Sequence, residues 1–159
     1  MFTYKAGLLA RAAHDLRLRL ETFQVTLDGE KMHGDFDLRS LRVEGPVEGG
    51  VVRRDLFDKG ERTEIERAMN AEVLHTDRYP TARFEGLAPP RGKGLAVAGT
   101  LALVEREVPL AFDVRWEDGA YRAELEIRPS RWGIAPYRAL LGTIRLQDRV
   151  RIELALTDA

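Results

Sequence analysis

The chain predicts an all-β fold with one main helix, arranged as an eight-stranded antiparallel barrel. Three observations carry this. Eight segments alternate apolar and polar residues with a period of two. Hairpin turn signals such as Asp28-Gly29 and Asp118-Gly119 fall between them. Only the stretch Glu61 to His75 changes to a helical period.

Phe2 to Ala6 reads as an opening strand, with Leu8 to Ala13 continuing it or pairing beside it. The second strand sets Leu16, Leu18 and Leu20 against Arg17, Arg19 and Glu21. Its phase then slips, because Phe23, Val25 and Leu27 carry on at odd positions, and a β-bulge near Thr22 accounts for the slip. The next strand runs from Met32 to Val43, with Gly34, Phe36 and Leu38 on one face. Glu44 to Gly60, punctuated by Gly45-Pro46 and Gly49-Gly50, reads as a loop. In the helix, Ile65, Ala68, Met69 and Val73 form the apolar stripe. Pro80 then opens a strand, Thr81 to Leu87, which Pro89-Pro90 ends.

Leu95 to Val104 is apolar on both faces, with Leu95, Val97, Leu101 and Leu103 on the large side and Ala96, Ala98 and Ala102 on the small side. Such a face needs a cover. The helix is the expected one, a second subunit in a homodimer the alternative. Val108, Leu110, Phe112, Val114 and Trp116 alternate with charged residues in the following strand, and Tyr121, Ala123, Leu125 and Ile127 in the one after. The segment Arg131 to Tyr137 is rich in turn residues, and it leads through Leu140-Leu141-Gly142 into the last strand. There Leu146, Val150, Ile152, Leu154 and Leu156 share one face.

Composition bounds the function. The 159 residues fit a single domain spanning 1–159, large enough to bury its own core. Lys and Arg number 25 against 26 Asp and Glu, a balance that argues against nucleic acid as a partner and against a surface drawn to anionic lipid. With no cysteine, disulfides and thiolate chemistry are excluded. Arg11 interrupts the first apolar run before it reaches signal-peptide length, and no later run approaches a membrane span. The expected location is the cytoplasm, unless a leader was removed before residue 1.

Several of these elements together resemble the YceI-like family, lipocalin-like β-barrels that bind polyisoprenoids and related lipids. The resemblance rests on Ala13-His14-Asp15-Leu16, on the helix leading into Thr76-Asp77-Arg78-Tyr79-Pro80-Thr81-Ala82-Arg83-Phe84, and on Trp132-Gly133-Ile134-Ala135-Pro136-Tyr137 before the last strand. Between Leu103 and Pro109 this chain has Val104-Glu105-Arg106-Glu107-Val108, where many members have His-Gly-Val-Thr-Lys. A function tied to that turn does not transfer. The resemblance implies a bound apolar ligand, an isoprenoid, quinone or fatty-acyl chain, and no catalytic cofactor.

An eight-stranded barrel either fills its interior or leaves room for one ligand. The inward candidates are Leu18, Leu20, Phe36, Leu101, Leu103, Leu110, Phe112, Val114, Leu125, Ile127 and Ile152, with Trp132, Tyr137 and Leu141 at one end. A filled core serving as an interaction or structural module is the competing reading. A dry tunnel would hold a chain-like lipid by burial, worth about 0.8 kcal/mol per methylene.

His14-Asp15 invites an acid–base reading, but neighbouring residues on a strand point to opposite faces. The three histidines have no metal-ligand spacing. Asp148 falls in register with Leu146 and Val150 on the dry face, so it needs a partner or a place at the barrel end. His14 and Asp148 are therefore the candidate polar end of the site, and no residue is assigned to catalysis.

Overall fold

The computed structural model describes residues 2–6, 15–139 and 144–157. His14, the expected strand from Leu8 to Ala13 and the Leu140 to Gly142 segment lie outside them. One curled antiparallel sheet contains all the described strands.

Its backbone is a long kinked ribbon. Strands β2 (Asp15–Leu20) and β3 (Phe23–Asp28) are two halves of one bent strand, and they pair with β5 (Leu41–Glu48) and β4 (Lys31–Asp37) respectively. The kink lies where Leu20 faces Leu41 and Phe23 faces Phe36. Between those pairs stand Glu21 and Thr22 on one side and Asp37 to Ser40 on the other. The phase slip expected at Thr22 is real, and its extra residues sit on the opposite strand as a 3-10 turn, Leu38–Ser40. Ser40 Oγ accepts from Thr22 N–H at 2.9 Å and fixes the bend.

The ribbon is joined to the rest at opposite ends of its two edges. Strand β1 (Phe2–Ala6) pairs with β2 and with β13 (Ile144–Leu156). Strand β4 pairs with β7 (Thr81–Leu87), and the sheet continues through β9 (Gly94–Leu103), β10 (Arg106–Glu117) and β11 (Ala120–Ile127) to β13. The circuit is β1, β2–β3, β4–β5, β7, β9, β10, β11 and β13, which is the expected eight strands. Short strands β6 (Val51–Val52), β8 (Pro90–Arg91) and β12 (Arg138–Ala139) pair along its margins.

Two expectations are corrected here. The predicted loop from Glu44 begins as strand, since β5 runs to Glu48 and forms a hairpin with β6. Gly45 permits this. Its φ of +153° is glycine territory, and a Cβ there would lie 2.8 Å from Arg53 O. The second correction concerns the helix, α1 (Lys59–Ala68), which starts earlier than expected because Asp58 and Glu61 form a capping box, and which runs on into a wide turn over Met69–Val73. Ile65 and Met69 pack with Phe57 and Leu74 against Leu18, Leu41 and Val43, and Val43 N–H donates to Glu66 Oε1 at 2.8 Å. Register through Thr3 puts Leu16, and with it Leu18, on the same face as Val150. The helix therefore covers the inner face of β2 and β5, not the small face of β9, where Ala98 is exposed.

Candidate functional site in the barrel interior

The concave face of the sheet is apolar along every long strand with described side chains. Its residues fall into three clusters. One, at the end sealed by the Pro129–Trp132 turn, gathers Leu38, Ala82, Leu103, Val108, Ile127, Trp132, Ile134 and Val150. A second, at the other end, gathers Met32, Phe84, Ala88, Val97, Val114 and Ala123. The third lies under the helix.

Between the first two clusters the inward side chains change character. Along β10, Val108 and Val114 are buried while Leu110 and Phe112 are partly exposed. Strand β9 repeats this, with Val97 and Leu103 buried and Leu101 partly exposed. On β11, Leu125 is partly exposed between buried Ala123 and Ile127, and on β13 Ile152 is so beside buried Val150. A packed core would show the reverse, with its most buried residues at mid-strand.

The aromatic rings explain part of the space. A Cβ on Gly34 would lie 2.9 Å from the Phe36 ring, and one on Gly99 would lie 2.6 Å from Phe84 Cζ and 2.3 Å from Glu85 O. Both rings thus lie over glycines of the wall, Phe84 within the second cluster and Phe36 against both end clusters. Phe36 stacks on Phe23 at 6.3 Å, and Phe84 meets Phe112 at 6.0 Å.

Of the residues expected to line the interior, Phe36, Leu101 and Leu110 touch both end clusters. Leu103, Leu125, Ile127 and Ile152 belong to the sealed end, and Phe112 and Val114 to the opposite end. Leu18 and Leu20 are set apart under the helix. Trp132, 1% exposed, donates from Nε1–H to Leu101 O at 2.8 Å, so it stoppers its end of the barrel. Tyr137 is partly exposed beyond it, and Leu141 lies outside the described residues. Phe84, Val97 and Val25 also face inward and were not among the expected lining. For Phe84 the signal was glycine at the inward positions Gly34 and Gly99, and for Val97 it was the face it shares with Leu101 and Leu103.

Asp148 accepts hydrogen bonds from Ser130 N–H, at 2.8 Å, and from Ser130 Oγ–H. Its carboxylate therefore anchors the turn that carries Trp132. Three carboxylates on the outer surface have clearly lowered pKa values. A hydrogen bond from His33 lowers that of Asp35, and hydrogen bonds from Arg39 and Arg53 lower those of Asp37 and Asp55. These are surface pairs, not a cleft of poised acids and bases. A rim cleft of about 510 Å³ lies at the end opposite Trp132, between Arg91, Lys93 and Arg115 and the exposed Trp116, which meets Tyr121 edge-on at 4.7 Å. Among the described residues no helix is long and apolar enough to cross a membrane.

A family model described as YceI-like domain matches residues 10–157. The chain belongs to this family. No match is found among curated proteins. Among solved structures it is similar to a polyisoprenoid binding domain from Saccharophagus degradans, at 13% identity over 98% of this chain and 90% of that one, with a TM-score of 0.57. It is also similar to BcnA of Burkholderia cenocepacia, at 16% identity over 88% of this chain and 82% of that one, with a TM-score of 0.56. The YceI protein of Campylobacter jejuni covers 89% of this chain and 85% of its own at 10% identity, with a TM-score of 0.51. At such identities the likeness is one of fold.

Proposed function

We propose that this YceI-like protein binds one chain-like apolar molecule inside its barrel, a polyisoprenoid, isoprenoid quinone or fatty-acyl lipid, and carries or stores it without catalysis. The observation behind this reading is the belt of partly exposed Leu101, Leu110, Phe112 and Leu125, flanked by buried residues of the same strands, with Ile152 beside buried Val150. Such a belt offers apolar surface and few polar groups, so it would recognise length and flexibility more than head-group chemistry. Each methylene placed against it contributes about 0.8 kcal/mol, and neighbouring chain lengths are poorly distinguished. The polyisoprenoid named for the Saccharophagus degradans domain is consistent with that chemistry.

Native mass spectrometry of gently purified protein, followed by lipid extraction, tests it. A bound mass in the range of a long-chain lipid is the expected result. A bare protein mass, together with no uptake of added polyprenol or fatty acid, would favour a filled barrel acting as an interaction module. The same spectrum reads the subunit number, and so tests whether a second copy covers the exposed Ala98 face that the helix leaves open.

A further inference from the structure

The barrel wall has an incomplete seam. Strand β10 pairs with β9 at every position from Arg106 to Arg115, and β11 pairs with β13 from Tyr121 to Ile127. Between them β10 and β11 pair only at Arg115–Arg122, Trp116–Tyr121 and Glu117–Ala120, beside their hairpin turn. Beyond Arg115 the two strands run without a ladder. The Pro129–Trp132 turn closes the far end of the gap, where Arg131 Nη2 reaches Pro109 O at 3.5 Å.

The sequence itself disfavours closing this seam. Trp116 N–H donates to Lys93 O at 3.0 Å on the β9 side, so by alternation the backbone groups of Pro109, Ala111 and Asp113 face β11. Pro109 has no N–H to offer there. Extending the register from Arg115–Arg122 would set Asp113 against Glu124, a like-charge pair that weakens a ladder without forbidding it, since Glu124 pairs opposite Glu153 and Arg115 opposite Arg122. Each carboxylate is instead drawn away from the seam, Asp113 to Arg91 at 3.0 Å and Glu124 to Arg151 at 3.6 Å. Directly behind the gap lie the partly exposed Leu110, Phe112 and Leu125.

We infer that the β10–β11 seam is a lateral passage by which a narrow apolar chain reaches and leaves the interior. This rests on the proposed reading of the interior as a lipid site. Entropy favours the route, because a flexible chain can be laid in sideways without threading end-first past the rim at Trp116. The strands part at a place where few ladder hydrogen bonds are lost.

The chain has no cysteine, so pairs can be introduced cleanly. Ala111→Cys with Glu126→Cys spans the seam and can be locked with a short, reducible bis-maleimide. Ala98→Cys with Ala111→Cys, directly opposed across the fully paired β9–β10 ladder, is the control for cross-linking alone. The probe is parinaric acid, a polyene fatty acid whose fluorescence rises in apolar surroundings, followed by stopped flow. The seam lock is expected to slow both uptake and release about tenfold or more, as restraining a gate does, with affinity unchanged and rates restored on reduction. An unchanged rate in the locked protein, or equal slowing by the control lock, overturns the passage while leaving the lipid site intact. No parinaric acid binding by the unlocked protein overturns the lipid site and the passage with it.

Two measurements need no cross-link. Glu124→Lys would face Asp113 with a cation and is expected to slow exchange by favouring closure. In the unaltered protein, amide hydrogen exchange should be fast at Ala111 and Asp113 and slow at Leu110 and Phe112. Equal protection of all four amides would mean a closed wall and overturn the inference.

Discussion

The sealed end of the barrel and its mid-section are built from the same strands and the same residue types, yet they behave differently. Val108 and Leu110 lie two residues apart on β10, as do Ile127 and Leu125 on β11, and in each pair only the first is buried. The difference is the supply of partners. At the sealed end Trp132, Ile134 and Leu38 fill the middle of the barrel. At mid-strand no tryptophan-sized plug is inserted: Phe36, Leu101 and Leu110 pack against both ends, and the rings of Phe36 and Phe84 lie over Gly34 and Gly99. Apolar alternation makes a wall; an inserted plug makes a core.

Substitutions at the two regions should therefore separate stability from binding. Trp132→Ala removes the plug and its hydrogen bond to Leu101, and is expected to cost about 3 to 5 kcal/mol, read by urea unfolding. Phe112→Ala, in the partly exposed belt, should cost about 1 to 2.5 kcal/mol, below the range for a fully packed ring, while lipid retention falls further than stability does. If Phe112→Ala costs as much as Trp132→Ala and no lipid co-purifies, the contrast between the two regions disappears.

Asp148→Asn sharpens the comparison from the sealed side. It weakens the acceptor that holds Ser130, so a loss of about 1.5 kcal/mol is expected, in the range for hydrogen bonds to a charged group. Lipid affinity should stay unchanged. Unaltered stability with weaker binding of a polar-headed lipid would instead make Asp148 part of the ligand site. The smallest effect should come from Val104→Asn in the β9–β10 turn. Val104 has φ +57°, an uncommon conformation for a β-branched side chain that asparagine tolerates better. Val104 also packs on the sealed-end cluster, so lost burial offsets the relieved strain, and a net change within about 1 kcal/mol is expected, read as a Tm shift of at most about 2 to 4 °C, with ligand exchange unaffected.

Strand positions were legible because alternation is local. Thr81–Leu87 and Ile144–Leu156 lie where the pattern of side chains puts them, and the inward parity of Leu101, Leu110, Phe112 and Leu125 holds across the sheet. The start of α1 was less legible, since its capping box lies upstream of the apolar stripe that marks the helix. Residues Glu44 to Glu48 were unreadable as strand because glycine and proline interrupt them, and only the approach of Arg53 shows what Gly45 accommodates. For the candidate site, sequence reasoning named all five belt residues but could not separate Leu18 and Leu20 from them. All of these share one strand-face rule, and it is the helix that divides them.

By itself the sequence determined the all-β class, the number of long strands and the alternation of faces along them, because each follows from a period read over a few neighbouring residues. Tertiary structure alone decided which inward residues are packed and which are left with free surface. That depends on contacts between residues far apart in the chain, such as Trp132 with Leu101, Ile65 with the Leu18 cluster and Phe84 with Gly99. It also decided where the wall is incomplete, because a strand's alternation is the same whether its edge is paired or bare.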